Sequence, residues 1–210
     1  MQNTGGNGPH STEAEEALRL GKIYLYGDGT PRDEEEAIRL FSIASRNGNS
    51  DADIQLGIMY IKGIGVAKNC SRAFELFDEA CSLGNSNADF ILGNMYFDGK
   101  DLPCDKVRAA ELFQNSSDMG NAEASFRLAN MYRSGDGIEK DGPAAALLYE
   151  KAVSEGHVDS MFNLAEMYSN AEGIPGDYAK AADLFRAAAE NGREDAVFLC
   201  TLCELSSQKN

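Results

Sequence analysis

Basic residues are scarce in this chain: 19 Lys and Arg stand against 34 Asp and Glu, leaving a formal charge of −15. Nucleic acid and anionic membrane surfaces both demand clustered Lys and Arg, so neither is expected as a primary ligand. Histidine is scarcer still, with only His10 and His157. No HExxH, CxxCH or paired-Cys zinc spacing occurs, and neither G-x-S-x-G nor a Walker sequence is present. The acidic run DGIEKDG at 136–142 lacks the EF-hand spacing and its terminal Glu. The expectation is a non-enzymatic protein with no metal and no cofactor. Long apolar runs are missing too; none approaches the ~20 residues of a membrane span. The first residues, MQNTGGNGPHST, have no basic n-region and no apolar h-region. Neither a transmembrane segment nor a signal peptide is expected, which points to the cytoplasm. Five cysteines (Cys70, Cys81, Cys104, Cys200, Cys203) are an odd number, which fits a reducing compartment.

What the chain has in abundance is self-similarity. A shift of 36 residues aligns it with itself. One column reads Leu20, Leu56, Leu92, Leu128, Leu164, and the next Gly21, Gly57, Gly93, Ala129, Ala165. Tyr24, Tyr60, Tyr96, Tyr132 and Tyr168 form a third column, followed by a turn column of Gly27, Gly63, Gly99, Gly135 and Ala171. Beyond the turn come Ala37, Ala73, Ala109, Ala145 and Ala181, then Leu40, Leu76, Leu112, Leu148 and Leu184. Beside these run Phe41, Phe77, Phe113, Tyr149 and Phe185, and Gly48, Gly84, Gly120, Gly156 and Gly192 close the units. Within a unit, apolar positions at i, i+4 and then i, i+3, i+4, i+7 describe two amphipathic helices. Asp33, Asn69, Asp105, Asp141 and Asp177 occupy a slot suited to capping the second helix. One such hairpin leaves its apolar stripe uncovered; stacked hairpins bury it. The GDG and GIG runs in this frame are turns rather than phosphate loops.

The frame A-x3-LG-x2-Y-x2-G-x-G-x3-D-x3-A-x2-LF-x2-A-x3-G resembles the Sel-1-like repeat, a relative of the tetratricopeptide repeat. The likeness covers about 16–195, with Asp101 and Ala171 in place of loop glycines, and Phe or Tyr where that family often has Trp. It implies an all-α fold, an α/α superhelical solenoid of five 36-residue helix-turn-helix repeats plus a C-terminal capping helix. The expected units are 16–51, 52–87, 88–123, 124–159 and 160–195, with a partial unit over 196–210. The solenoid domain spans 13–205, behind a disordered tail over 1–12. The resemblance also implies a scaffold or adaptor for protein partners rather than a catalyst. Secreted relatives with a disulfide in each repeat are a poor match, because the recurrent cysteine pair is absent here.

By analogy with the tetratricopeptide fold, the first helices would line a concave groove. Three columns on them lie off the packing stripe: Leu18, Ile54, Phe90, Phe126, Phe162; then Ile58, Asn94, Asn130; then Leu25, Ile61, Phe97, Arg133. An apolar groove with a few amide and basic groups suits a peptide or an amphipathic helix. The alternative is that the Leu/Ile/Phe ladder is packing between repeats, leaving Asn94, Asn130 and Arg133 as the polar groups that packing does not need. The lysines of a carboxylate clamp are absent: Asp159, Asn163 and Glu166 stand in the next unit.

The last unit, AVFLCTLCEL at 196–205, is apolar on nearly every side, and Phe198, Leu199, Leu202 and Leu205 form a candidate docking or self-association surface. This end supports a second role, as an accessory or regulatory subunit of an enzyme or membrane-associated complex, for example in protein quality control.

Overall fold

The computed structural model describes residues 9–100 and 103–207. Among them are eleven α-helices and no strand: α1 (Pro9–Tyr26), α2 (Glu34–Arg46), α3 (Ser50–Lys62), α4 (Cys70–Ser82), α5 (Ser86–Asp98), α6 (Lys106–Asp118), α7 (Ala122–Ser134), α8 (Gly142–Ser154), α9 (Val158–Asn170), α10 (Tyr178–Glu190) and α11 (Ala196–Ser207). The first helix begins at Pro9, within the stretch expected as a tail. Proline is well suited to a first helical position, and the following TEAEEALR has high helix propensity. Residues 1–8 of the expected tail lie outside the described residues.

Two capping systems explain where the helices stop and start. The aspartate or asparagine column caps every second helix of a pair: Asp33 accepts from Glu36 N at 2.9 Å, and Asn69, Asp105, Asp141 and Asp177 repeat the contact. The N–H of each of these caps donates to the carbonyl of the column tyrosine, as in Asp141 N to Tyr132 O at 2.9 Å, which ties the loop back to the first helix. The other system lies in Asn49, Asn85, Asn121 and His157, which cap α3, α5, α7 and α9. Each follows a closing glycine at positive φ, and its own N–H reaches back to the preceding helix, as in Asn121 N to Ser116 O at 3.1 Å. The structural repeat therefore begins two residues earlier than the expected units, because the asparagine, not the first apolar residue, starts the helix.

The chain forms two compact units, Met1–Met95 with Gly99–Pro103 and Tyr96–Asp98 with Cys104–Asn210. In the first, α1–α2 and α3–α4 pair as hairpins around Phe41, Leu56, Met59 and Leu76, all nearly excluded from water. In the second, α7–α8 and α9–α10 pair likewise, and α11 packs on α10 through Phe185, Ala196, Cys200 and Cys203. The small residue next to the column leucine has a physical cause: a Cβ on Gly57 would stand 2.8 Å from the Phe77 ring.

Ala171 is the only non-glycine at positive φ among the described residues, closing α9 at φ 51, ψ 40 where α3, α5 and α7 have glycine. A Cβ in the left-handed region costs about 1–2 kcal/mol. Ala171→Gly is expected to raise stability by about 1 kcal/mol, allowing for the entropy that glycine adds to the unfolded chain. A urea titration checks this, and an unchanged or lower midpoint would contradict it.

Successive hairpins also meet through a pair of positions that changes character along the chain. In the second unit it is Ser117 with Ser125, fully buried with hydroxyls 2.7 Å apart. In the first it includes Asp53, 2 % exposed, whose Oδ1 has no hydrogen-bond partner. Burial pushes the Asp53 carboxyl up, with a hydrogen bond from Ser45 opposing it. A raised folded value means stability falls as pH rises from the unfolded value of about 3.9 through the folded one. Asp53→Ser, which copies the serine pair of the second unit, should stabilise the protein by about 1 kcal/mol at neutral pH. The gain should fade in acid; urea titrations across that pH range measure both.

Candidate functional site

In the first unit the first-helix face carries two adjoining hollows. One, of about 360 Å³, is lined by Lys22, Asp51, Ile54, Gln55, Asn87, Phe90 and Ile91. The other, of about 380 Å³, is lined by Leu25, Tyr26, Arg32, Gln55, Ile58, Met59, Lys62 and Ile64. Leu25 and Ile54 are buried and form the floor, whereas Leu18, Ile58, Ile61 and Phe90 are half-buried. Gln55 belongs to both hollows. It stands in none of the expected columns, and the signal that could have found it is an uncharged amide between Ile54 and Leu56 on an otherwise apolar face. Asn94, expected to face a ligand, donates to Phe90 O at 2.9 Å.

The second unit treats the same columns differently. The column spacing assigns Asn130, Arg133 and Phe162 to the ligand face; in the structure their side chains have partners within the chain. The Asn130 amide oxygen accepts from the Tyr149 hydroxyl at 2.5 Å and from Asn163 Nδ2 at 3.2 Å. Tyr149 replaces the usual column phenylalanine and is fully buried, so its hydroxyl needs that partner. Arg133 donates to Glu172 from Nε at 3.0 Å and Nη2 at 2.7 Å, and to Glu166 from Nη1 at 3.2 Å. Phe162 is buried edge-to-face on Phe185, with centroids 5.3 Å apart, and the Arg193 guanidinium lies 3.7 Å from its ring centre. Phe126 packs between Tyr149 and His157, and Phe97 lies against Phe113 beneath the Lys106 ammonium. A smaller hollow of about 170 Å³ remains between Phe97, Phe113, Arg127, Asn130 and Asp136. Thus the aromatic side chains of this unit pack mainly within their own hairpins, and its polar groups hold neighbouring helices together.

On α11, Phe198, Leu202 and Leu205 are 69 %, 44 % and 53 % exposed and share one face by their i, i+4, i+7 spacing. Leu199 is half-buried against the core instead. Burial pushes the Cys200 and Cys203 thiols up, as it does for Cys81, which reaches about 12 with Asp89 adding to the effect. These thiols stay protonated at neutral pH, which suits core packing rather than nucleophilic chemistry.

The Sel1 repeat family model matches the chain five times in succession, at 17–49, 50–85, 86–121, 122–157 and 158–192. The chain belongs to the Sel1 repeat family. The matched Sel1 boundaries fall at the caps Asn49, Asn85, Asn121 and His157, as the helices do. Among curated proteins none matches the chain. Among solved structures it is similar to c5321, a protective antigen present in uropathogenic Escherichia coli strains that displays an SLR fold, at 29 % identity and TM-score 0.83. That match covers 89 % of this chain and 40 % of c5321, so the chain spans less than half of that protein's length. It is also similar to a Sel1 repeat protein from Oxalobacter formigenes, at 26 % identity and TM-score 0.78, over 90 % of this chain and 78 % of the other. Sel1 repeats generally serve as scaffolds for protein interaction, and the family is typically non-enzymatic. Among the described residues no helix is long and apolar enough to cross a membrane.

Proposed function

We propose that this Sel1 repeat protein is an interaction scaffold that takes a segment of a partner protein on the first-helix face of its first unit. The observation that carries the reading is a contrast between units. The first unit keeps two apolar-floored hollows beside Lys22, Gln55 and Lys62, which have no polar partner among the described residues. The second commits its matching groups to Arg133–Glu166–Glu172 and Tyr149–Asn130–Asn163. Two adjoining hollows on one helix face suit successive side-chain anchors of a single peptide segment. Selection from a displayed random-peptide library tests the proposal. Enriched peptides should lose about tenfold or more in affinity for Ile58→Glu, with helicity unchanged, since a buried aliphatic anchor contributes about 1.5–3 kcal/mol. Selected peptides that bind the variant equally would place the site elsewhere.

A second reading, docking through the C-terminal end as a subunit of a larger complex or as a self-association surface, is favoured by the exposed Phe198, Leu202 and Leu205. Here Phe198→Glu with Leu202→Glu should abolish any association seen by sedimentation. Identical monomers before and after the change would remove the self-association version.

A further inference from the structure

We propose that the occupant of the first-unit face is an extended protein segment in which acidic residues flank apolar ones, a chemistry opposite in sign to the one the overall charge suggests. The inference rests on that face being the binding site. Three observations carry it. First, the two hollows are bordered by Lys22 and Lys62, exposed ammonium groups with no ion pair among the described residues, in a chain whose formal charge is −15. Second, of the other charges at the hollows Arg32 is paired with Glu34 at 2.6 Å, while the Asp51 carboxylate, which accepts from the neutral Asn85 amide at 2.8 Å, keeps its charge beside the first hollow. Lys22, Arg32 and Lys62 thus stand against the carboxylates of Asp51 and Glu34, a local balance opposite in sign to that of the whole chain. Third, Gln55 stands between the two hollows, shared by both, and makes no hydrogen bond among the described residues. Its amide both donates and accepts, which matches the open N–H and C=O of an extended backbone; a helical ligand consumes those groups internally. Apolar side chains then drop into the hollows on either side, over Ile54 and Ile58, while neighbouring carboxylates reach Lys22 and Lys62. Against a strongly acidic protein, such local positive charge also selects where an acidic segment lands, since elsewhere it is repelled.

The test uses three short fluorescein-labelled peptides of alternating pattern: leucine with aspartate, leucine with asparagine, and leucine with lysine. Fluorescence anisotropy on the full chain reads affinity at low and physiological salt. The aspartate peptide is expected to bind about tenfold more tightly than the asparagine one, with an advantage that shrinks as salt rises, and the lysine peptide least of all. Lys22→Gln combined with Lys62→Gln should erase the aspartate advantage, and Gln55→Ala should weaken the aspartate and asparagine peptides alike. Equal binding of those two peptides, or preference for lysine, overturns the charge assignment while Ile58→Glu sensitivity keeps the face itself. Unchanged affinity in Gln55→Ala overturns the extended-backbone assignment. Absence of binding, or binding indifferent to Ile58→Glu, removes the face and the inference together. Circular dichroism of each variant shows that the helices persist.

Discussion

Gly137→Ala is expected to cost the protein about 3 kcal/mol. Gly137 has φ +81, where an L side chain costs about 1–2 kcal/mol before any contact is counted. A Cβ there would also stand 2.2 Å from the Cβ of Lys106 and 3.0 Å from its Cδ. Lys106 is the first residue of α6, so its Cβ moves only if the helix start moves. Its ammonium is held as well, at 2.5 Å from Asp136 and 5.2 Å from the Phe97 ring centre. Overpacking a contact of this kind costs about 1–3 kcal/mol. The same loop position meets the start of an earlier helix elsewhere: Gly65 approaches Glu34, and Gly173 approaches Gly142. Gly29 supplies the control. It has φ +75, and a Cβ added to it would meet nothing within 4 Å, so Gly29→Ala should lose only about 1 kcal/mol. Urea titrations of the two variants measure the difference, and equal losses would show that close approach of loop to helix contributes nothing.

Arg133→Ala should destabilise the protein by about 2 kcal/mol at neutral pH, leaving Glu166 and Glu172 without their shared cation. The fully buried version of such a loss is about 3–5 kcal/mol. The smaller figure reflects side chains still 22 %, 34 % and 31 % exposed for Arg133, Glu166 and Glu172, where water screens part of the interaction. The hydrogen bond from Arg133 holds the Glu172 carboxyl below the usual carboxylate range. A lowered folded value means that the contribution is fully present above the unfolded value of about 4.3 and is lost as pH falls through the folded one. The difference between wild type and variant should therefore shrink in acid, and chemical denaturation at several pH values reads it. A pH-independent loss would assign the effect to the aliphatic stem of Arg133 instead. Peptide affinity at the first-unit face should be unaffected, which separates this residue from the ligand site to which its column position alone assigns it.

The repeat length, the hairpin of each unit and the cap on each second helix are legible in the residues, because each is a short-range effect. A carboxylate or amide that accepts from the N–H three residues on leaves its mark at a fixed place in every unit. The Gly-Asn pairs at 48–49, 84–85 and 120–121 leave an equally regular mark, yet the apolar residues alone put the boundary two positions later. The apolar stripe shows where a helix packs; the cap shows where it begins.

The candidate site is less legible. Phe90 and Phe126 share a column, as do Ile58 and Asn130, and nothing in their spacing distinguishes a residue left open from one taken up by a neighbouring helix. The difference lies in what stands 19 to 39 positions away: Tyr149 beneath Asn130, and Glu166 and Glu172 opposite Arg133. A phenolic oxygen in place of a phenylalanine edge turns an amide inward, and two carboxylates on the next hairpin take up a guanidinium. In the first unit Gln55, Lys22 and Lys62 meet no such groups among the described residues. Local residue patterns thus carry the helices, the turns and the period, since backbone hydrogen bonding and amphipathicity are satisfied within one unit. Which polar groups lack a partner within the chain is decided by contacts between helices, where burial and charge pairing join residues that no periodicity relates.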